Sequence, residues 1–414
     1  MASSFGCFFF FFFVPLLLGH SAFAARFGGG GRRRLLPAAT EVAGVCASLV
    51  VPSGYKCEEF DVTTQDGYIL RLQRIPAGRD GGGAPTAGRR RRPVLLQHGV
   101  LADGVTWLLN SPDEALAYVL ADAGFDVWIA NTRGTRWSRR HETLHPSSRA
   151  FWAWSWDELV AYDLPATVDF VYQRTGQKLD YVGHSLGTLT AMASFSEGRL
   201  VDKLRSAALL SPIAFLSHMT TTLGILAARS FLGEIYTWLG IAEFDPTGVA
   251  VRYLMKKLCQ NPTLNCYDLM TAFTGMNCCL NESTVELYLE YEPQSTSTKN
   301  MVHLAQTFRD GALTKFDYGG GEANMRRYGR RSPPAYNLSN IPGELPIFLS
   351  YGGRDRLSNT DDVSLLLAAL RARGGGGRLT VQFVADFAHA DFVMGTTARR
   401  VVYDAVVAFF RRQL

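Results

Sequence analysis

A serine hydroxyl is a weak nucleophile at neutral pH and reacts only when a tight turn exposes it beside a base that takes its proton. Ser185 has such a setting in the run Gly183-His184-Ser185-Leu186-Gly187. The flanking glycines leave room for a sharp turn. A strand-like run, Leu179 to Val182, precedes them, and small and apolar residues (Thr188, Ala191, Ala193) follow on a helix that opens at Leu186. With 40 glycines in 414 residues, the bare pentapeptide would arise by chance at roughly a few tenths per chain. The assignment therefore rests on the strand before it and the helix after it.

A base and its orienting acid should follow in the order Ser, Asp, His, each in a loop just past a strand, because that rim is where the turn presents its oxygen. Asp355 follows the apolar run Pro346 to Tyr351, within Gly352-Gly353-Arg354-Asp355. His389 follows the run Leu379 to Ala385 and is the only histidine downstream of His303. Asp355 is assigned to fix the tautomer of His389 and stabilise its imidazolium. Asp361 and Asp362 compete for that role, but they open a helix, where acidic residues serve capping and the helix dipole.

Acyl transfer also needs donors for the developing oxyanion, worth roughly 3 to 4 kcal/mol each. The N–H of Leu186, next after the nucleophile, supplies one. The N–H of Val100, in His98-Gly99-Val100-Leu101 after the run Pro93 to Gln97, supplies the other. His98 reads as a packed strand-end residue rather than a second base. This chemistry calls for no cofactor and no metal.

The elements that must hold these groups follow from hydrophobic patterning. Eight strands are expected: Phe60 to Thr63 and Tyr68 to Ile75, joined through Asp66-Gly67, then Pro93 to Gln97, Phe125 to Ala130, Leu179 to Gly183, Ser206 to Leu210, Pro346 to Tyr351 and Leu379 to Ala385. Helices are expected between them at Asp113 to Ala123, Ser155 to Arg174, Leu186 to Glu197, Asp361 to Arg373 and Thr396 to Arg412. That alternation is the pattern of an α/β chain with a mostly parallel sheet covered by helices. One interval breaks it, between Leu210 and Pro346. It reads as an inserted, mainly helical cap over 213–343, dividing a core of 25–212 and 344–414. Its early stretch, Leu223 to Phe244, is strongly apolar and could serve as a lid over an apolar substrate or as the cap's own core.

Residues 1–24 read as an export signal: the apolar run Cys7 to Leu18 is too short to span a bilayer, Pro15 interrupts it, and Ala22-Phe23-Ala24 forms a small-x-small cleavage site. No other stretch is long enough to span. Export removes Cys7 and leaves Cys46, Cys57, Cys259, Cys266, Cys278 and Cys279, an even set suited to disulfides. Clustering favours Cys46 with Cys57 and a second set within 259–279. A zinc site there is the weaker reading, since no histidine lies among those cysteines. Asn281 and Asn337 head glycosylation sequons, which matter only in an exported chain. The net charge of +5 rests on Arg32 to Arg34 and Arg89 to Arg92, and without those seven it falls to −2. Both runs adjoin glycine-rich stretches, so solvated loops are expected and a nucleic-acid surface is not. Oligomeric state is not legible.

The chain resembles the gastric and lysosomal acid lipase family, and within it the plant triacylglycerol-lipase-like branch. The likeness spans most of the mature chain. It rests on Tyr55-Lys56-Cys57 with Thr64-Gln65-Asp66-Gly67-Tyr68, on Leu96-Gln97-His98-Gly99-Val100-Leu101 with Trp107, and on the run Leu120 to Trp128. It continues through Asn131-Thr132-Arg133-Gly134, Tyr162-Asp163-Leu164-Pro165-Ala166, the Ser185 turn, Gly352-Gly353-Arg354-Asp355 and His389-Ala390-Asp391-Phe392. The resemblance implies an α/β-hydrolase fold, a Ser185, Asp355, His389 triad, oxyanion donors at Val100 and Leu186, a lid within the cap, and hydrolysis of lipid esters at a lipid–water interface. Leu186 stands where animal members typically carry Gln, and the insert Ala77 to Arg92 is unusually long. An acyltransferase or a steryl ester hydrolase would use the same triad, and a catalytically silent lipid-binding protein would use only the fold.

Overall fold

The computed structural model describes residues 44–79, 90–221, 225, 228–246, 270–271, 273–374 and 378–413. All eight expected strands form, and they lie in one sheet. In chain order they are β1 (Glu58–Thr63), β2 (Tyr68–Ile75), β3 (Pro93–Gln97), β4 (Asp126–Ala130), β5 (Arg140–His141), β6 (Leu179–Ser185), β7 (Leu204–Pro212), β8 (Glu243–Phe244), β9 (Thr296–Ser297), β10 (Ile347–Gly352) and β11 (Leu379–Val384). The sheet order is β1-β2-β4-β3-β6-β7-β10-β11, with the two-residue β5 added beside β2. β1 and β2 form the antiparallel hairpin at Asp66-Gly67, β2 also runs antiparallel to β4 and β5, and the rest pair parallel. The short pair β8 and β9 stands apart.

Central strands β3, β4 and β6 are buried along their whole length, as strands covered on both faces must be. Their alternate residues feed two cores: Leu95, Tyr181 and Leu209 pack with Trp128 and Trp156, while Val94, Leu96, Val182 and Leu210 pack with Trp107, Tyr118 and Phe410. Edge strand β11 leaves Phe383 exposed.

The helices are α1 (Leu116–Asp122), α2 (Leu164–Thr175), α3 (Leu186–Ser196), α4 (Leu232–Trp238), α5 (Glu282–Tyr291), α6 (Thr298–Asp310), α7 (Gly321–Tyr328), α8 (Thr360–Arg371) and α9 (Asp404–Arg412). Two expected helices prove composite. The stretch expected over Ser155 to Arg174 starts with a capping box at Ser155 and Glu158, widens into a π-turn over Leu159–Asp163, and becomes α2 with Pro165 at its start. Pro165 has no N–H to give, which favours a change of hydrogen-bond register there. The helix expected from Thr396 likewise begins as a π-turn, Arg399–Tyr403. α1 starts three residues later than expected, because Glu114 and Ala115 donate their N–H groups to Ser111 O in a preceding turn.

Between Pro212 and Ile347 no described residue joins the main sheet. This segment holds α4 to α7, β8 and β9, and backbone hydrogen bonds tie it to the loops past the strands: Gly275 bridges to Asp355, His389 N–H donates to Thr274 O, and Gln294 N–H donates to Leu101 O. Disulfides join Cys46 to Cys57 and Cys278 to Cys279. Cys259, Cys266 and residues 1–24, expected as an export signal, lie outside the described residues. Among the described residues no helix is long and apolar enough to cross a membrane.

Candidate active site

Ser185 ends β6 and caps α3 with φ 53° and ψ −120°, a backbone conformation few non-glycine residues adopt. Close approach of two chain segments holds it there. A Cβ on Gly187 would lie 2.5 Å from Gln97 O, and one on Gly99 would lie 2.9 Å from Ser185 Cβ. Only glycines let the loop after β3 lie against the turn after β6. Ser185 itself is buried.

Asp355 and His389, expected from separate loops, meet: His389 Nδ1 lies 2.9 Å from Asp355 Oδ2. The carboxylate can only accept, so the proton sits on Nδ1 and leaves Nε2 as the basic nitrogen. Asp355 is completely buried, which alone would push its carboxyl up. The His389 charge, with hydrogen bonds from His389, Ser211 and Ser358, outweighs that cost and holds it below the usual carboxylate range. Ser211 Oγ donates to Oδ2 at 2.7 Å, and the N–H groups of Leu357 and Ser358 donate to Oδ1, each at 2.8 Å. Asp361 and Asp362 stand in the first turn of α8, and Asp362 pairs with His218. Neither approaches His389.

Two further histidines surround the site, both kept neutral. His184 packs against the His389 ring at a centroid distance of 4.8 Å and donates from Nε2 to His389 O. Burial, helped by the His389 charge, pushes it down to about 3. His98 donates from Nδ1 to Gly99 O and accepts the Thr132 N–H on Nε2, and burial pushes it down to about 4. His98 is thus a buried strut of the β3 loop, as its strand-end position suggests. Val100 and Leu186 line a common small cavity with Gly99, Leu101, Thr296 and Asn300.

Three further groups have positioning roles that the sequence does not assign. Ser211 has φ 46° at the end of β7, and nothing in Leu210-Ser211-Pro212 signals its bond to Asp355. Asp391 lies two residues past His389 and accepts the N–H groups of Ala388, Cys278 and Cys279. Asp391, Cys278 and Cys279 are also the one cluster of metal-ligand spacing among the described residues. Its sulfurs are joined to each other and its carboxylate is occupied by backbone N–H groups, so it serves as a structural clamp. Arg133 is wholly buried, donates to Asp163 and forks onto Asp66, and stacks on Tyr68. It ties the β1–β2 hairpin and the start of α2 to the loop after β4.

The chain is 57% identical to triacylglycerol lipase 2 of Arabidopsis thaliana, an alignment that spans 91% of this chain and 90% of that one. The chain belongs to the gastric and lysosomal acid lipase family. Human gastric triacylglycerol lipase, at 35% identity over 90% of this chain and 92% of its own length, falls in the same family. The partial α/β-hydrolase lipase region matches residues 46–111, and the α/β-hydrolase fold matches residues 92–244. A soluble variant of monoglyceride lipase from Saccharomyces cerevisiae, solved with a substrate analogue, superposes with a TM-score of 0.53 at 13% identity, covering 86% of this chain and 96% of that one. That likeness establishes the α/β-hydrolase fold. Membership of this lipase family makes the chain an ester hydrolase.

Proposed function

We propose that this protein is an exported lipase that hydrolyses the carboxylic ester bonds of neutral lipids, triacylglycerols foremost, through an acyl-Ser185 intermediate. Ser185 Oγ attacks the ester carbonyl while His389 Nε2 takes its proton, and the N–H groups of Val100 and Leu186 receive the oxyanion. His389 then returns the proton to the departing alcohol. Water repeats the attack on the acyl-enzyme and releases the fatty acid. Asp355 holds the imidazole and its transient charge throughout. Residues 213–343 act as the cap, residues 1–24 direct export to the cell exterior or a vacuolar compartment, and the exposed Asn281 and Asn337 carry glycans.

The observation that carries this reading is the buried Asp355–His389 pair, against whose imidazole packs His184, the neighbour in sequence of the strained Ser185. The lipid substrate rests on the kinship with triacylglycerol lipase 2 and on the apolar side chains that α4 and its flanks present to solvent: Phe231, Ile235, Trp238 and Leu239. A labelled fluorophosphonate is expected to modify Ser185 in the native chain and to leave Ser185→Ala unmodified. A panel of triacylglycerol, steryl and soluble esters at pH 5 and pH 8 then ranks substrates. Active, folded protein that resists the label would overturn the mechanism.

A further inference from the structure

We infer that one proton held between the carboxyl groups of Asp103 and Glu292 fastens the loop carrying Val100 to the inserted segment, making both positioning residues of the ester-hydrolysis site. The inference rests on the reading of Val100 N–H as an oxyanion donor. Asp103 lies three residues past Val100 and caps the turn Gly104–Leu108, its Oδ1 accepting the Val105 N–H at 2.7 Å. Its own N–H crosses to Glu292 Oε1 at 2.8 Å. Glu292 ends α5 in the inserted segment, and two residues on, Gln294 donates its N–H to Leu101 O and accepts the Arg136 N–H on its side chain. Ser295 and Thr296, which follow, line the cavity with Val100 and Leu186.

Both carboxyl groups are buried, Asp103 at 0% and Glu292 at 1% exposure. Asp103 Oδ2 and Glu292 Oε2 are buried and accept no hydrogen bond of ordinary geometry, the Trp137 indole N–H being a donor beside Asp103, and the two carboxyl groups are within hydrogen-bonding reach of each other. Two adjacent buried carboxylates cannot both stay charged, and a proton between the orphaned oxygens satisfies both at once. The groups facing the pair are Arg136, Tyr288 and Tyr291, with the Trp137 side chain. Arg136 favours the charged forms, but its guanidinium lies over the Trp137 and Tyr291 rings. Burial dominates: it pushes Asp103 up from 3.8 to about 6, and burial with the neighbouring Asp103 charge pushes Glu292 well above the carboxylate range.

The folded chain therefore binds this proton more tightly than the unfolded chain. Its contribution to stability is full below the ordinary carboxylate range and is lost as pH rises through the folded values. Loss of the proton sets two like charges against each other, parts Gln294 from Leu101 and lets the Val100 N–H drift.

The test is Glu292→Gln in the full chain. The Gln carbonyl still accepts the Asp103 N–H, and its NH2 donates to Asp103 Oδ2 at every pH. The melting temperature of the variant, relative to wild type, is expected to rise steadily from pH 5 to pH 8. The alkaline limb of kcat on a soluble short-chain ester should move up by a pH unit or more, with KM unchanged. A melting-temperature difference that stays constant with pH would overturn the proposal. Asp103→Asn offers the same bond with donor and acceptor reversed and decides the matter if the Gln variant does not fold. Wild-type protein without ester turnover would sink the hydrolase reading and leave the thermal comparison to judge the shared proton.

Discussion

Gly99→Ala isolates the contact on which the active-site geometry depends. The added Cβ would lie 2.9 Å from Ser185 Cβ. An ordinary carbon–carbon contact is about 3.5–4.0 Å, so the loop or the nucleophile must yield by roughly 0.6–1.1 Å. A displacement near 1 Å in a reacting group costs about 100-fold in rate, which is about 2.7 kcal/mol of barrier. Overpacking of this kind also lowers stability by about 1–3 kcal/mol. Gly176→Ala is the matched control. Gly176 ends α2 with φ 66° and has nothing within 4 Å of a built Cβ, so its substitution carries backbone strain of about 1–2 kcal/mol without touching the site. Denaturant melts are expected to show comparable losses for the two variants. Turnover of a soluble butyrate ester and the rate of fluorophosphonate labelling are expected to fall about 100-fold for Gly99→Ala only. Equal activity in the two variants would refute the idea that the β3 loop sets the position of Ser185.

Arg133→Met should cost about 3–5 kcal/mol, because it strands the buried Asp163 and leaves Asp66 unpaired. A denaturant midpoint corresponding to less than about 1 kcal/mol would place this pair with ordinary surface ion pairs. Phe231→Ser with Trp238→Ser removes two side chains that are 51% and 85% exposed. Each should forfeit about 1.5–3 kcal/mol on transfer to a lipid surface, so activity on emulsified triacylglycerol is expected to fall at least tenfold while activity on a soluble ester holds. Equal losses on both substrates would mean that these residues serve the cap's own packing.

The strands were legible because hydrophobic runs bounded by turn residues report burial directly. The meeting of Asp355 with His389 was legible because such a fold brings together the loops just past strands β10 and β11, and Ser185 stands at the same end of β6. Helix starts were less so: Pro165 and the Ser111 turn shifted them through backbone hydrogen bonding, which periodicity does not register. Ser211 could not have been found, since its role depends on a positive φ and a partner 144 residues away. Asp103 and Glu292 stand 189 residues apart, and each alone looks like an ordinary polar residue at a turn or helix end. Arg133 and Asp163 were visible only as parts of family motifs; the buried ion pair between them supplies their physical reason.

The inserted segment is more than a cover, because its backbone completes the loops that carry the reacting groups. Loops past parallel strands leave N–H and C=O groups without ladder partners, and in a buried site those groups must be satisfied. Here the insertion satisfies several of them: Thr274 O receives His389 N–H, Gly275 bridges to Asp355, and Gln294 N–H reaches Leu101 O. In the other direction, Asp391 beside His389 clamps the N–H groups of Cys278 and Cys279. Lifting residues 273–296 would therefore strip partners from the loops of Asp355, His389 and Val100 together. Any opening that admits a lipid while keeping the site intact must occur elsewhere in the insertion. The described element that fits is α4, whose Ile235 and Trp238 are exposed and whose Glu234 is tied to Arg309 of α6 by a partly buried ion pair. On the proposed reading of this segment as a cap, the part that holds the loops of the site is distinct from the part that presents apolar side chains to solvent.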